Sequence, residues 1–208
     1  MKLNLIPVLL AGLLSAAPAF SATPVTIDFE GPTSYASIDQ YYNGGADSAG
    51  AVGVNLGVTF GLDALAFQHD LLSFSNAPSP VGVMAPVNSD AALNYAAGFT
   101  TGAMFYYSSA NATSVGVYDG LNGTGNLLGT FSLASNDDSS YSNWSLATLT
   151  FNGTAKSIAF GQAASALTGF DNVTIGAVPE PTEALMLALG LGVVAQVVQR
   201  ARRKQASV

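Results

Sequence analysis

Short runs of alternating apolar and polar residues, cut at intervals by Gly and Asn, confine most of this chain to antiparallel sheet. Val25, Ile27 and Phe29 share one parity, as do Val115 with Val117, Phe131 with Leu133, Ile158 with Phe160, and Val173 with Ile175. Ala147, Leu149 and Phe151 alternate with Thr148 and Thr150. A period of two places such residues on one face of a strand. The stretch from Gly98 to Tyr107 reads as a strand apolar on both faces, and Val52 to Phe60 as a strand punctuated by Gly. The turns are explicit: Asp119-Gly120, Asn122-Gly123 and Gly125-Asn126 join Val117 to Leu127, and Asn152-Gly153 joins Phe151 to Ile158. No ten-residue stretch of this region shows capped helical periodicity. About eight to ten short strands at this spacing predict an all-β fold, an antiparallel β-sandwich of jelly-roll or Greek-key type. Residues 31–50 and 68–92 read as long loops, and Asn136 to Ser140 as a solvated one.

The two ends obey other rules. Lys2, an apolar run from Leu3 to Leu14 and small residues through Ala22 form a secretory signal peptide, with cleavage expected after Ser21. At the other end, Val178-Pro179-Glu180-Pro181 precedes an apolar run from Ala184 to Val198. The basic cluster Arg200, Arg202, Arg203 and Lys204 follows. Each proline fixes its own φ and biases its predecessor toward extended backbone, so a helix begins only beyond Pro181. Residues 182–199 then make a short transmembrane helix, against the roughly 20 residues a full span takes. The basic cluster holds the C-terminus in the cytoplasm and leaves the preceding domain outside. The expected organisation is a signal peptide over 1–21, an extracytoplasmic β-sandwich over 22–177 and a C-terminal signal over 178–204. From the residues alone, that signal is either a plain tail anchor or a processing site.

Taken with the signal peptide, this order of parts resembles the PEP-CTERM sorting domain over about residues 177–204. Gln196, inside the apolar run, is a departure that weakens the span and not the motif. The resemblance implies export through the Sec translocon and transient anchoring in the inner membrane. It further implies recognition and cleavage by an exosortase near Pro179, Glu180 and Pro181, in an exopolysaccharide-producing bacterium. The mature protein is then a component of the cell envelope or extracellular matrix.

Charge narrows the function of the central domain. Residues 22–177 hold eleven carboxylates against the single Lys156, a net charge of −10. Such a surface repels nucleic acid and anionic lipid and attracts cations. No cysteine occurs, so disulfides and thiolate metal sites are excluded. His69 has no second His or Cys to share a zinc ion with and reads as a surface or turn residue. Asp28 with Glu30, and Asp137 with Asp138, are carboxylate pairs that could hydrolyse glycosides, a remote reading because strand-face acids in so acidic a chain are usually solvated and the Asp137 loop lacks rigid support. Asp171 shares the parity of Val173 and Ile175, which points it toward the core side near the rim. A carboxylate there needs backbone N–H groups, water or a cation.

Thr26-Ile27-Asp28-Phe29-Glu30, Val115-Gly116-Val117-Tyr118-Asp119 and Gly169-Phe170-Asp171-Asn172-Val173-Thr174-Ile175 loosely resemble extracellular jelly-roll domains of the carbohydrate-binding type. That resemblance implies a structural Ca²⁺ between first and last strands, held by Glu30 (or Asp28) and Asp171, with carbonyls of Asn43 or Asp47 completing the shell. The competing reading is that Asp171 caps a turn. Aromatic residues in or beside loops are candidates for stacking on sugars: Tyr41, Tyr42, Tyr141 and Trp144 foremost, with Tyr35, Tyr106, Tyr107 and Tyr118 behind them. Trp144 also reads as a core plug. The sequence therefore predicts a non-enzymatic structural protein of the envelope, with an exopolysaccharide-binding module as the alternative.

Overall fold

In a computed structural model of the chain, residues 24–68, 74–137 and 140–176 are described. The signal peptide, the Pro179-Glu180-Pro181 motif, the apolar run, the basic cluster from Arg200 to Lys204, and His69 lie outside the described residues. Among the described residues no helix is long and apolar enough to cross a membrane.

The alternating segments form strands where expected. The order is β1 (Val25–Ile27), β2 (Val58–Phe60), β3 (Ala64–Gln68), β4 (Gly82–Pro86), β5 (Ala92–Phe99), β6 (Gly102–Ser109), β7 (Thr113–Tyr118), β8 (Leu127–Leu133), β9 (Ser145–Thr150), β10 (Ala155–Ala159) and β11 (Thr168–Ile175). One 3₁₀ turn, Gly161–Ala166, links the last two. Two antiparallel sheets result. One runs β3-β4-β11-β6-β9 with β1 also against β11; the other runs β2-β5-β10-β7-β8. The fold is thus an antiparallel β-sandwich.

Three segments depart from the sequence reading. The expected strand from Val52 is short, because only Val58–Phe60 pairs with β5. The expected strand across Gly98 to Tyr107 is broken in two where Gly98 and Thr101 take φ of 78° and 73°, and the chain there passes from β5 in one sheet to β6 in the other. The long loop 68–92 contains β4, whose residues are apolar on both faces because both faces are covered; Val83 and Met84 are fully buried on opposite sides.

The inward faces interleave aromatic side chains between the sheets. Phe105 stands 4.4 Å from Phe131 and 5.2 Å from Phe170, which in turn lies 4.7 Å from Phe160. Each fully buried Phe contributes about 2–3 kcal/mol, so this knot across the two sheets accounts for much of the cohesion.

The edges are treated unequally. Residues 35–43 run along one side of the sandwich and hydrogen-bond to both outer strands there. Tyr35 and Ile38 donate N–H to the carbonyls of Ala66 and Ala64 on β3, while Phe60 and Val58 of β2 donate to Asp39 and Tyr42. Asp47 pins the far end of this segment by accepting N–H from Thr33, Ala49 and Ala51 at 2.7–2.9 Å. On the opposite side β8 and β9 are the outermost strands, packed against each other where Leu149 lies over Gly129.

Candidate functional site

Of the three acids expected to hold calcium, Glu30 and Asp171 both engage residues 79–82, whereas Asp28 reaches that junction only through its backbone carbonyl. β11 shares one edge between β4, paired at Phe170–Met84, and β1, paired from Val173 to Ile175. Between them the strand bulges, with Asn172 at φ 49°. Phe170 and Val173 both belong to the core, so the bulge absorbs one residue and breaks the parity argument. Asp171 therefore lies on the outer face, not the core side, and is fully buried there beneath residues 79–82. Its two oxygens accept N–H from Ser79 at 2.6 Å and from Asn172 at 2.7 Å. Glu30 accepts N–H from Val81 and Gly82 through one oxygen, both at 2.9 Å. Asp28 is exposed and accepts the Glu30 N–H at 3.2 Å. Ser79 completes the junction by donating its hydroxyl between the carbonyls of Asp28 and Gly82. Gly82 is obligatory, since a Cβ there would overlap the carbonyl of Phe29.

These carboxylates clamp a loop root. Calcium takes six to eight oxygens, whereas the Asp171 oxygens and the bound Glu30 oxygen face N–H donors, and Asp47 is engaged with its own loop. Among the described residues no group of three or more His, Cys, Asp and Glu side chains is placed to hold a metal ion. As folded, the donor set does not fit a calcium shell. Burial drives the Asp171 pKa up; N–H donation from Ser79 and Asn172 opposes this, the nearby Glu30 charge adds to it, and the value settles at about 6.

Asp137 plays the same part in another loop. Burial would raise its pKa, but N–H groups of Asn143, Tyr141 and Ser142 and the Ser140 hydroxyl hold it down to about 2. Its sequence neighbour Asp138 lies outside the described residues.

The aromatic candidates separate. Tyr42 is 3% exposed and packs edge-on to Phe29 at 6.2 Å, so its ring is core and not a stacking surface, against expectation. The segment over the β2 and β3 edges turns Tyr42 inward, and burial then raises its pKa well above the usual phenol range, with the Asp28 and Tyr41 charges adding to it. Tyr41 is half-buried between Gly31 and Gly53, where any Cβ would strike it.

Tyr141 and Trp144 come together on the outer face of the six-stranded sheet, around a residue the sequence reading missed. Phe74 sits directly on Gly169 of β11. Tyr141 lies 4.9 Å and Trp144 6.4 Å from it on one side, with Phe67 5.9 Å away and Tyr35 beyond at 5.3 Å from Phe67. Trp144 donates its indole N–H to the Ser75 carbonyl at 3.1 Å, which ties the two loops together. Trp144 is half-exposed and outside the inter-sheet core, so the core-plug reading fails. Tyr35 is 57% exposed, and both terminal tyrosines of this strip hold left-handed backbone, φ 65° at Tyr35 and 52° at Tyr141. No local signal announces Phe67 or Phe74, because the strip exists only once two distant loops cross the sheet.

The other sheet carries a shallow pocket of about 200 Å³ on its outer face, lined by Ser89, Gly116, Tyr118, Ala159, Gly161 and Gln162. The Tyr118 ring lies over Gly116, and the Gln162 oxygen accepts the Ser114 hydroxyl at 2.8 Å.

No protein-family model matches the chain, and no curated protein matches it in sequence. Among solved structures, a family 6 carbohydrate-binding module aligns with 56% of this chain and 95% of its own, at 16% identity and a TM-score of 0.36. A family 29 carbohydrate-binding module aligns with 74% and 91%, at 13% identity and 0.39. A glycoside hydrolase family 43 arabinoxylan arabinofuranohydrolase from Bacillus subtilis aligns with 62% of this chain and 30% of its own, at 18% identity and 0.41. All three likenesses are distant.

Proposed function

We propose that this protein is an exported, non-enzymatic component of the cell envelope or extracellular matrix that binds polysaccharide through the aromatic strip on its outer face. The observation that carries this reading is the pair of tyrosines, exposed Tyr35 and half-buried Tyr141, held in left-handed backbone at either end of a line of rings. A non-glycine residue in that conformation costs about 1–2 kcal/mol, and strain of this kind collects where a side chain must be displayed. The apolar face of a pyranose stacks on such rings, and the side chains of Asn76, Ser142 and Asn143 beside the strip suit sugar hydroxyls. The acidic surface favours a neutral glycan over a polyanionic one.

Hydrolysis is the weaker reading. A glycosidase needs a carboxyl that gives up a proton near neutral pH. Asp137 is held ionised far below that range, and Asp171, though raised to about 6, is sealed with both oxygens engaged. Delivery rests on the terminal segments: we assign Pro179, Glu180 and Pro181 as the motif read by an exosortase after Sec export, with Arg200, Arg202, Arg203 and Lys204 as the cytoplasmic stop.

Affinity electrophoresis of the full-length chain through gels holding neutral exopolysaccharide tests the binding. Retardation that disappears in the Tyr35→Gly, Tyr141→Gly double variant supports it; undiminished retardation overturns it. Intact mass of the protein recovered from its native envelope tests the sorting. A chain ending near Pro181 supports processing, and one running through Val208 makes it a plain tail anchor.

A further inference from the structure

The unequal treatment of the sandwich edges points to a partner. The edges of β2 and β3 are both closed by residues 35–43, whereas among the described residues β9 pairs only with β6 and β8 only with β7. Unpaired edges are templates for another strand, and proteins commonly blunt them with charge or proline. Neither Leu127–Leu133 nor Ser145–Thr150 contains a charged residue or a proline, in a domain of net charge −10. Leu146 is 52% exposed, and Thr148 and Thr150 are exposed with it.

The direction of the free hydrogen bonds follows from the ladder. Phe151 donates its N–H to Thr101, the pair in register just beyond the end of the β6–β9 ladder. Hydrogen-bonded pairs alternate in an antiparallel ladder. Ser145, Ala147 and Leu149 therefore bond toward β6, and the N–H and C=O groups of Leu146, Thr148 and Thr150 face outward.

We propose that β9 is a docking edge for a second copy of this chain, paired antiparallel about a two-fold axis at Thr148. In that register Thr148 meets Thr148, Leu146 meets Thr150 and Ala147 meets Leu149 of the other copy. The outward-pointing groups of all three outer residues are matched, and parity keeps each face of the sheet continuous. The pairs are self-complementary, as a two-fold interface requires, and closure at two copies prevents a filament. Charge selects the same place: two copies that repel elsewhere meet along a strand without charge.

The absence of native cysteine gives a clean test. In the hydrogen-bonded pair the two Thr148 Cα atoms stand about 5.5 Å apart, inside the range a disulfide spans. The full-length Thr148→Cys chain, under mild oxidation, is expected to form a disulfide-linked dimer on the order of a hundredfold faster than Val52→Cys, because pairing raises the local thiol concentration from micromolar toward millimolar. Val52 is 73% exposed on the opposite side and serves as the control. Thr148→Lys, which sets two ammonium groups face to face, is expected to weaken self-association in sedimentation by tenfold or more while leaving Trp144 emission unchanged. Equal crosslinking at positions 148 and 52 overturns the proposal, as does a position-148 thiol captured by a different protein in preference to its own copy.

Discussion

Asp171→Asn separates two opposing effects at the loop clamp. The carboxylate is fully buried, and its pKa stands at about 6 where 3.8 is the ordinary value. A folded-state pKa above the unfolded one means the folded chain holds the extra proton between those values. Stability from this group is therefore complete below the unfolded pKa and falls as pH rises through about 6. At 1.36 kcal/mol per pKa unit, the loss is about 2–3 kcal/mol by neutral pH. Asparagine cannot ionise and escapes that loss. It offers only one oxygen, however, to two N–H donors, and sets its own NH₂ against Ser79 or Asn172, which costs about 1–3 kcal/mol. At about pH 4 the wild type is neutral and the variant carries only its penalty, so it is less stable by that amount. Near pH 7 the relief offsets the penalty, and the variant lies between about 1 kcal/mol less stable and about 2 kcal/mol more stable than wild type. Urea unfolding of the full-length chain, followed through its single tryptophan, reads this difference directly. Asp137 works in the opposite sense, its stabilisation present above 3.8 and lost as pH falls toward 2, but it is common to both proteins and drops out of the comparison. A stability difference that does not change with pH would refute the assignment of a raised pKa to Asp171.

Tyr35→Gly trades a left-handed backbone penalty of about 1–2 kcal/mol for the loss of an edge-to-face contact with Phe67 worth about 0.5–1.5 kcal/mol. Its unfolding midpoint should stay near wild type, and a loss above about 2 kcal/mol would make Tyr35 structural. Gly82→Ala forces a methyl group into the Phe29 carbonyl and should cost on the order of 3 kcal/mol in thermal unfolding; a silent substitution would mean that β4 does not approach β1 as described. Calcium and its chelation should leave the melting temperature unaltered, because backbone N–H groups already occupy the candidate oxygens. A calcium-dependent rise lost in Glu30→Gln would revive the metal reading.

Much of the sandwich is legible in the chain because period-two alternation and Gly or Asn turns act locally. Val115, Val117, Phe131 and Leu133 are all buried where parity places them. What is not legible is tertiary. β4 hides between prolines and carries no alternation, since loops cover its outer face. The Asp171 parity argument fails at the Asn172 bulge, which forms where β11 changes partner from β4 to β1. The approach of Glu30 to Asp171 follows from pairing the first and last strands and could be anticipated, but which donors reach them depends on residues 79–82. Tyr141 and Trp144 were recognisable as loop aromatics. Their true neighbour, Phe74, is far off in sequence and reaches them only because Gly169 leaves a seat for it.

The acidic composition has a common structural cause. With one lysine in the domain, carboxylates cannot find cationic partners, so the fold supplies peptide dipoles instead. Asp47, Asp137 and Glu30 each gather two or three backbone N–H groups, and Asp119 takes the Asn126 backbone and side-chain amides across a hairpin. Such bonds involve an ionised acceptor and are roughly twice as strong as neutral ones. They fix long loops without a disulfide, which suits a cysteine-free chain. They also leave the net negative charge in place, which favours uncharged contacts such as those proposed above, a neutral glycan on the aromatic strip and a second copy along the β9 edge. One lies on the outer face of the six-stranded sheet and the other at its edge, and they use different groups of atoms, side-chain rings in one case and backbone amides in the other. Loss of one by mutation should therefore spare the other, and a β9 variant that dimerises poorly should bind polysaccharide with the same affinity per chain.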